Sequence, residues 1–121
     1  MAGTRLLENN WRGPMPVEAR DASPWIPSGV LTASAQIKAV RGLLGGILVT
    51  ASDAGGDIVV KVWDSPNSTL TDDVCLAAVT IISTVSGAQN SFAPPSKEGV
   101  EAINGLYVQV TGDCEVIVYY K

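Results

Sequence analysis

From Cys114 onward the chain alternates, with Cys114, Val116, Val118 and Tyr120 on one face and Glu115, Ile117, Tyr119 and Lys121 on the other. A period of two marks an extended strand with one packed face. The preceding run repeats it, setting Leu106, Val108 and Val110 against Tyr107, Gln109 and Thr111. Thr111-Gly112-Asp113 between the two runs supplies a glycine for positive φ, so the pair is expected to close as an antiparallel hairpin. Asp53-Ala54-Gly55-Gly56 predicts a second tight hairpin between the apolar runs on either side of it. Elsewhere, short runs rich in Val, Ile, Thr and aromatics are separated by Gly, Asp, Asn and Pro clusters, at the spacing of sandwiches and barrels. Strands are expected near residues 29–33, 36–41, 45–52, 57–64, 74–83, 100–103, 106–111 and 114–120. Residues 45–51 and 74–83 are apolar on both faces, which fits a strand central in a covered sheet or one at a subunit interface. Two segments also admit a helical reading: Ile37, Val40 and Leu44 fit a period near 3.6, and Thr71-Asp72-Asp73 could cap a helix over 74–78. The fold class predicted is all-β: a β-sandwich, jelly-roll-like or immunoglobulin-like.

The pattern changes upstream. Residues 1–28 hold Pro14, Pro16, Pro24 and Pro27, four of the seven prolines, and no sustained periodicity. Proline fixes φ, removes a donor and pushes its predecessor toward extended geometry. These residues are therefore expected to form an extended arm, with the β-sandwich domain occupying 29–121. At ~3.3 Å per residue such an arm reaches on the order of 90 Å. A solvated tail is the plainer reading, but disordered segments are usually poor in aromatics. Leu6, Leu7, Trp11, Trp25 and Ile26 are accordingly the expected anchors on a partner.

Composition narrows the partners. The 121 residues suffice for one domain with one core. With 46% apolar and only 17% charged residues and strands around Ile47–Val49 and Val79–Ile82 apolar on both faces, part of the apolar surface is expected to face other copies in a homo-oligomer. A net charge of −4 with no Lys/Arg cluster argues against nucleic acid. No apolar run approaches the roughly 20 residues that span a bilayer, and residues 1–15 hold no signal-like apolar stretch. No membrane is expected as a partner, and synthesis is expected in the cytoplasm. Cys75 and Cys114 lack any CxxC or Cys/His spacing, so two reduced thiols are favoured over a disulfide and no metal site is expected.

The chemical inventory is thin. There is no histidine, which removes the usual general base, the Ser/His and Cys/His nucleophile pairs and the commonest zinc ligand. Gly42-Leu43-Leu44-Gly45-Gly46 lacks the Lys-Ser/Thr of a phosphate loop; strand glycines more often permit a bulge or a close backbone approach. Asp53, Asp57, Asp64, Asp72 and Asp73 follow no EF-hand spacing and read as turn residues rather than a calcium site. No catalytic residue, metal or cofactor is expected. Trp63, Tyr107 and Tyr119 are the candidate binding aromatics, expected to share an outward face that packs on a neighbour or stacks on a sugar.

Taken together, Ala35-Gln36-Ile37-Lys38-Ala39, Leu44-Gly45-Gly46-Ile47-Leu48-Val49, Val60-Lys61-Val62-Trp63-Asp64-Ser65, Asn104-Gly105-Leu106-Tyr107-Val108 and Val116-Ile117-Val118-Tyr119-Tyr120 resemble the small β-rich capsid decoration (cement) proteins of tailed bacteriophages. The likeness covers residues 29–121 and consists of strand and turn patterns, with no chemical signature. It implies a sandwich, often trimeric, that sits on the virion exterior and clamps neighbouring copies of the major capsid protein. It carries no catalytic residues. The alternative is a carbohydrate-binding or receptor-binding adhesion module of the tail-fibre kind, working through the aromatic face.

Overall fold

The computed structural model describes residues 24–52, 56–71, 73–82 and 85–121. Alternation decides which side of each strand is buried, and nine strands follow in chain order: β1 (Ile26–Pro27), β2 (Ala35–Lys38), β3 (Gly42–Ala51), β4 (Ile58–Asp64), β5 (Val74–Ile81), β6 (Gln89–Phe92), β7 (Val100–Ala102), β8 (Leu106–Thr111) and β9 (Cys114–Tyr120). All pairings are antiparallel. Sheet A runs β1-β9-β3-β6, with β7 pairing the same edge of β3 just beyond β6, and sheet B runs β2-β8-β4-β5. The two sheets pack face to face as a β-sandwich, and the described residues contain no helix. Both helical readings are therefore excluded for their described residues: Ile37 lies in β2 and 74–78 in β5.

The core is the set of inward alternates. Leu44, Ile47 and Val49 of β3 and Val116 and Val118 of β9 face Val60 and Val62 of β4 and Leu106 and Val108 of β8, all of them buried. Each such side chain contributes about 1.5–3 kcal/mol on leaving water. In β3 the register shifts between Leu44 and Gly46, and Gly46 takes φ +156°. The extra residue lets Leu44 and Ile47 both point inward although they are three apart.

Partnering departs from expectation. β8 and β9 do not form a hairpin: β8 lies in sheet B between β2 and β4, and β9 lies in sheet A between β1 and β3. Thr111-Gly112-Asp113 instead carries the chain across the sandwich, with Gly112 at φ +101° and a would-be Cβ 2.8 Å from Asp57 O. The turn after β3 likewise leads from sheet A to sheet B, so the second expected hairpin is also an arch, its residues 53–55 lying outside the described ones. Alternation reports which face is buried and not which sheet receives the strand. A glycine that permits a tight hairpin also permits a step between layers about 10 Å apart. Among the described strands, only β4 and β5 are both consecutive and paired.

Strand positions also shift. Residues 29–33 make only an isolated bridge, Leu31 with Val116, while Gln89–Phe92 forms β6 with a polar sequence that carries no strand signal. β6 is stitched on by pairing, Phe92 opposite Ile47 and Gln89 opposite Thr50. Of the two strands that are apolar on both faces, β3 is central between β9 and β6/β7, whereas β5 is the edge of sheet B. Finally, the domain begins earlier than residue 29, because Ile26 and Pro27 pair with Tyr120 and Tyr119 of β9.

Candidate functional site

Two places on this frame gather the residues singled out by sequence. The first is where the N-terminal segment joins the sandwich. Ser28 N–H donates to Val118 O (2.8 Å) and Val118 N–H to Ser28 Oγ (3.0 Å), while Leu31 and Val116 exchange two bonds of 2.8 Å. Residues 26–31 are thus laid along the free edge of β9. Trp25, expected as an anchor on another chain, is taken up by its own domain. Its indole lies across the outer face of sheet A, so close that a Cβ at Gly45 would stand 2.4 Å from Trp25 Cδ2 and one at Gly99 2.7 Å from Trp25 Cη2. Lys121 Nζ lies 4.4 Å from the ring centroid. The Gly-Leu-Leu-Gly-Gly run therefore fills both roles open to strand glycines: Gly46 makes the bulge and Gly45 makes room for an indole. Gly99, Gly45 and Lys121 were not legible as partners of Trp25, since nothing in their spacing links them. Ile26 remains exposed, and Leu6, Leu7 and Trp11 lie outside the described residues.

This junction sits at one end of the sandwich, the end where β3, β5 and β8 begin and β4, β7 and β9 finish. We refer to it as the root end. Pairing of Gly42 with Ala102 brings Arg41 beside Ile103, with an exposed ion pair between Arg41 and Glu101. Asp64, buried, accepts the backbone N–H of Ile103 (3.1 Å), Asn104 (2.7 Å) and Gly105 (3.3 Å), and is itself the register partner of Val74. Three segments are tied together in this way, and each exposes a β-branched residue: Val40 (63%), Ile103 (65%) and Val74 (62%).

The second place is the outer face of sheet B. Trp63 pairs in register with Tyr107 of β8 and with Cys75 of β5. Their strand neighbours Val62, Leu106 and Val108 are fully buried, so both rings point outward. Trp63 Nε1–H donates to Gln109 Oε1 (3.1 Å), and Lys61 Nζ stands 5.9 Å from the indole centroid. Gln36, opposite Tyr107, is pinned by its amide N–H₂, whose nitrogen lies 2.8–2.9 Å from the carbonyl oxygens of Lys38, Ser65 and Leu106. Tyr119 does not join this group. It lies on β9 in sheet A, beside Pro27 and Gly46, on the opposite outer face. Period-two reading gave the direction of each ring relative to the core but not the sheet it belongs to.

The cysteines stand free at opposite ends of the sandwich, Cys75 exposed at the start of β5 and Cys114 buried at the start of β9. Burial, reinforced by the negative charge of Asp113, raises the Cys114 thiol above its ordinary pKa. Among the described residues no group of three or more Cys, Asp or Glu side chains is arranged to hold a metal ion. No protein-family model matches the chain, and no curated protein matches it.

Proposed function

We propose that this chain is a non-catalytic structural subunit of a virus particle, a decoration or cement protein that self-associates on the exterior of a phage head. In this reading residues 1–23 act as an arm on a neighbouring copy or on the major capsid protein. The observation that carries it is the convergence at the root end. The chain leaves β1 there at Pro24, and Val40, Val74 and Ile103 are exposed at the same end of the sandwich. Exposed apolar side chains gathered at one end of a domain make a surface to be covered, and an arm leaving from that end can share its partner. The root is built to bear load, because Trp25 is clasped over Gly45 and Gly99 and residues 26–31 are bonded along β9. Tension on the arm is passed into sheet A rather than peeling a terminus.

The test has two parts. Full-length protein is expected to scatter light as a trimer at micromolar concentration, with Val74→Asp and Ile103→Asp together lowering the mass toward that of the monomer. Particles from the source of the sequence, stripped of this chain, should be saturated by the full-length protein at lower concentration than by protein lacking residues 1–23. A monomeric mass at every concentration, together with equal particle occupancy by the two forms, would overturn the reading. Truncation is placed at 23 so that Trp25 and β1 stay with the fold.

A further inference from the structure

The geometry points to a binding shelf for a carboxylate-bearing saccharide on the outer face of sheet B, built from Trp63, Tyr107, Lys61 and Gln109. Trp63 and Tyr107 are direct register partners on the outer face, so the two aromatic side chains leave the sheet from neighbouring positions. Aromatic faces of this kind accept the C–H side of a sugar ring, whose hydroxyls then need partners at the margin. Those partners are in position. The indole N–H holds Gln109 by its amide oxygen, at 3.1 Å, which turns the amide N–H₂ away from the ring as a donor. Lys61 Nζ, 5.9 Å from the indole centroid, adds a charged donor beside the same ring.

Shape and charge select the ligand. On the far side of Trp63, β5 offers only the small Cys75 opposite the indole and Ala78 opposite Lys61, so the indole forms the riser of a step and its flank stays uncovered. The molecule carries a net charge of −4, yet on the outer face of sheet B Lys61 stands beside the rings, and the single carboxylate of these strands, Asp64, is buried and faces inward; Lys38, the other lysine of the sheet, turns toward Gly42 of sheet A instead. One ammonium group beside the rings, with no exposed carboxylate on the strands of the sheet, is complementary to a sugar acid and not to a neutral glycan alone. A protein partner fits less well. The centres of protein interfaces are depleted of lysine, whereas here Lys61 and Gln109 sit against the rings and Thr80 and Thr111 flank the next row.

The full-length protein would be applied to a printed panel of oligosaccharides containing matched neutral and uronic-acid members. Retention of uronic-acid glycans over their neutral counterparts is expected. Trp63→Ala should weaken that binding about tenfold or more, the usual scale for truncating a central aromatic contact. Lys61→Gln should remove the preference for the acidic member, and the wild-type preference should shrink as salt is raised. Trp63→Tyr, which keeps a ring, guards against a mere folding defect and should retain part of the binding. Tyr119→Ala, on the opposite sheet, should change nothing. Absence of retention by the wild-type protein, equal retention of neutral and acidic members, or binding indifferent to Trp63→Ala would each overturn the assignment. Trp63 is next to Asp64 at the root end but points outward from sheet B, and Lys61 lies further along β4; loss of the acidic preference in Lys61→Gln with intact particle attachment therefore separates this inference from the structural role.

Discussion

Gly45→Ala is the most informative single change in this fold, because the structure says what the missing methyl group is making room for. A Cβ there would meet three indole atoms of Trp25 at 2.4–2.8 Å, inside any real contact distance, so the ring must leave the face of sheet A. If half to two-thirds of an indole's roughly 200 Å² returns to water, the loss at ~25 cal/mol per Å² is about 2.5–3 kcal/mol. Separation from Lys121 adds about 0.5 kcal/mol. Against this, Gly45 is not among the glycines with positive φ, so alanine suits the backbone and gains about 0.4–1 kcal/mol by restricting the unfolded chain. Gly45→Ala should therefore cost about 2–3 kcal/mol in urea unfolding, and Trp25→Ala about 3. In the Trp25→Ala background the same glycine change should turn neutral or slightly stabilising, a coupling of about 3 kcal/mol between two residues 20 apart in sequence. Equal cost of Gly45→Ala with and without the indole would refute the steric account, and with it the claim that Trp25 fixes residues 24–31 on sheet A.

Asp64→Ala should be among the more destabilising single changes, by about 2–3 kcal/mol, because it strands three backbone N–H groups at 103–105, one buried and two part-buried; Asp64→Asn should cost less, and an effect under about 1 kcal/mol by urea melt would contradict the arrangement. Thiol reagents at neutral pH should label Cys75 at once and Cys114 only on unfolding, since Cys75 is exposed and Cys114 is buried with its pKa raised. For stability the sign follows from that direction. The folded state holds the Cys114 proton more tightly than the unfolded state, so its contribution is intact below the unfolded thiol pKa of about 8.5 and is lost as pH rises through the folded value. Cys114→Ser should flatten this alkaline decline, and a decline of the same size in the serine variant would assign it elsewhere.

Much of this architecture was legible because burial imposes a period. The inward faces of β4, β8 and β9 follow directly from Val60/Val62, Leu106/Val108 and Val116/Val118. Strand partners were not legible, since a glycine turn such as Thr111-Gly112-Asp113 serves a hairpin and an arch alike, and so Tyr119 was grouped with Trp63 and Tyr107 although it lies in the other sheet. β6 escaped because Gln89-Asn90-Ser91-Phe92 has one apolar residue; it is held by the hydrogen-bonding edge of β3 rather than by its own propensity. Of the candidate site, the rings themselves were visible in sequence. Gln109 and Lys61 were not, because their relevance depends on the register that sets β8 beside β4.

The two outer faces of the sandwich are built differently, and the difference bears on how both proposed roles could coexist. On sheet A, Leu48 and Ile117 are direct register partners, Tyr119 follows on the same face, and Trp25 closes the root end of the row. On sheet B, the corresponding positions are Lys61 with Gln109 and Trp63 with Tyr107, where each apolar ring is edged by a polar side chain. An apolar face adjoining an arm loses little by being covered, whereas burying Lys61 beside an indole costs the desolvation of an ammonium group. Under the proposed assembly through the root end and sheet A, sheet B would stay in water for energetic reasons, independent of any glycan. Substituting Ile117→Lys should then weaken self-association while sparing the shelf, and Lys61→Gln the reverse. If Lys61→Gln instead strengthened self-association at the expense of glycan binding, sheet B would be the buried face and the orientation argued here would be wrong.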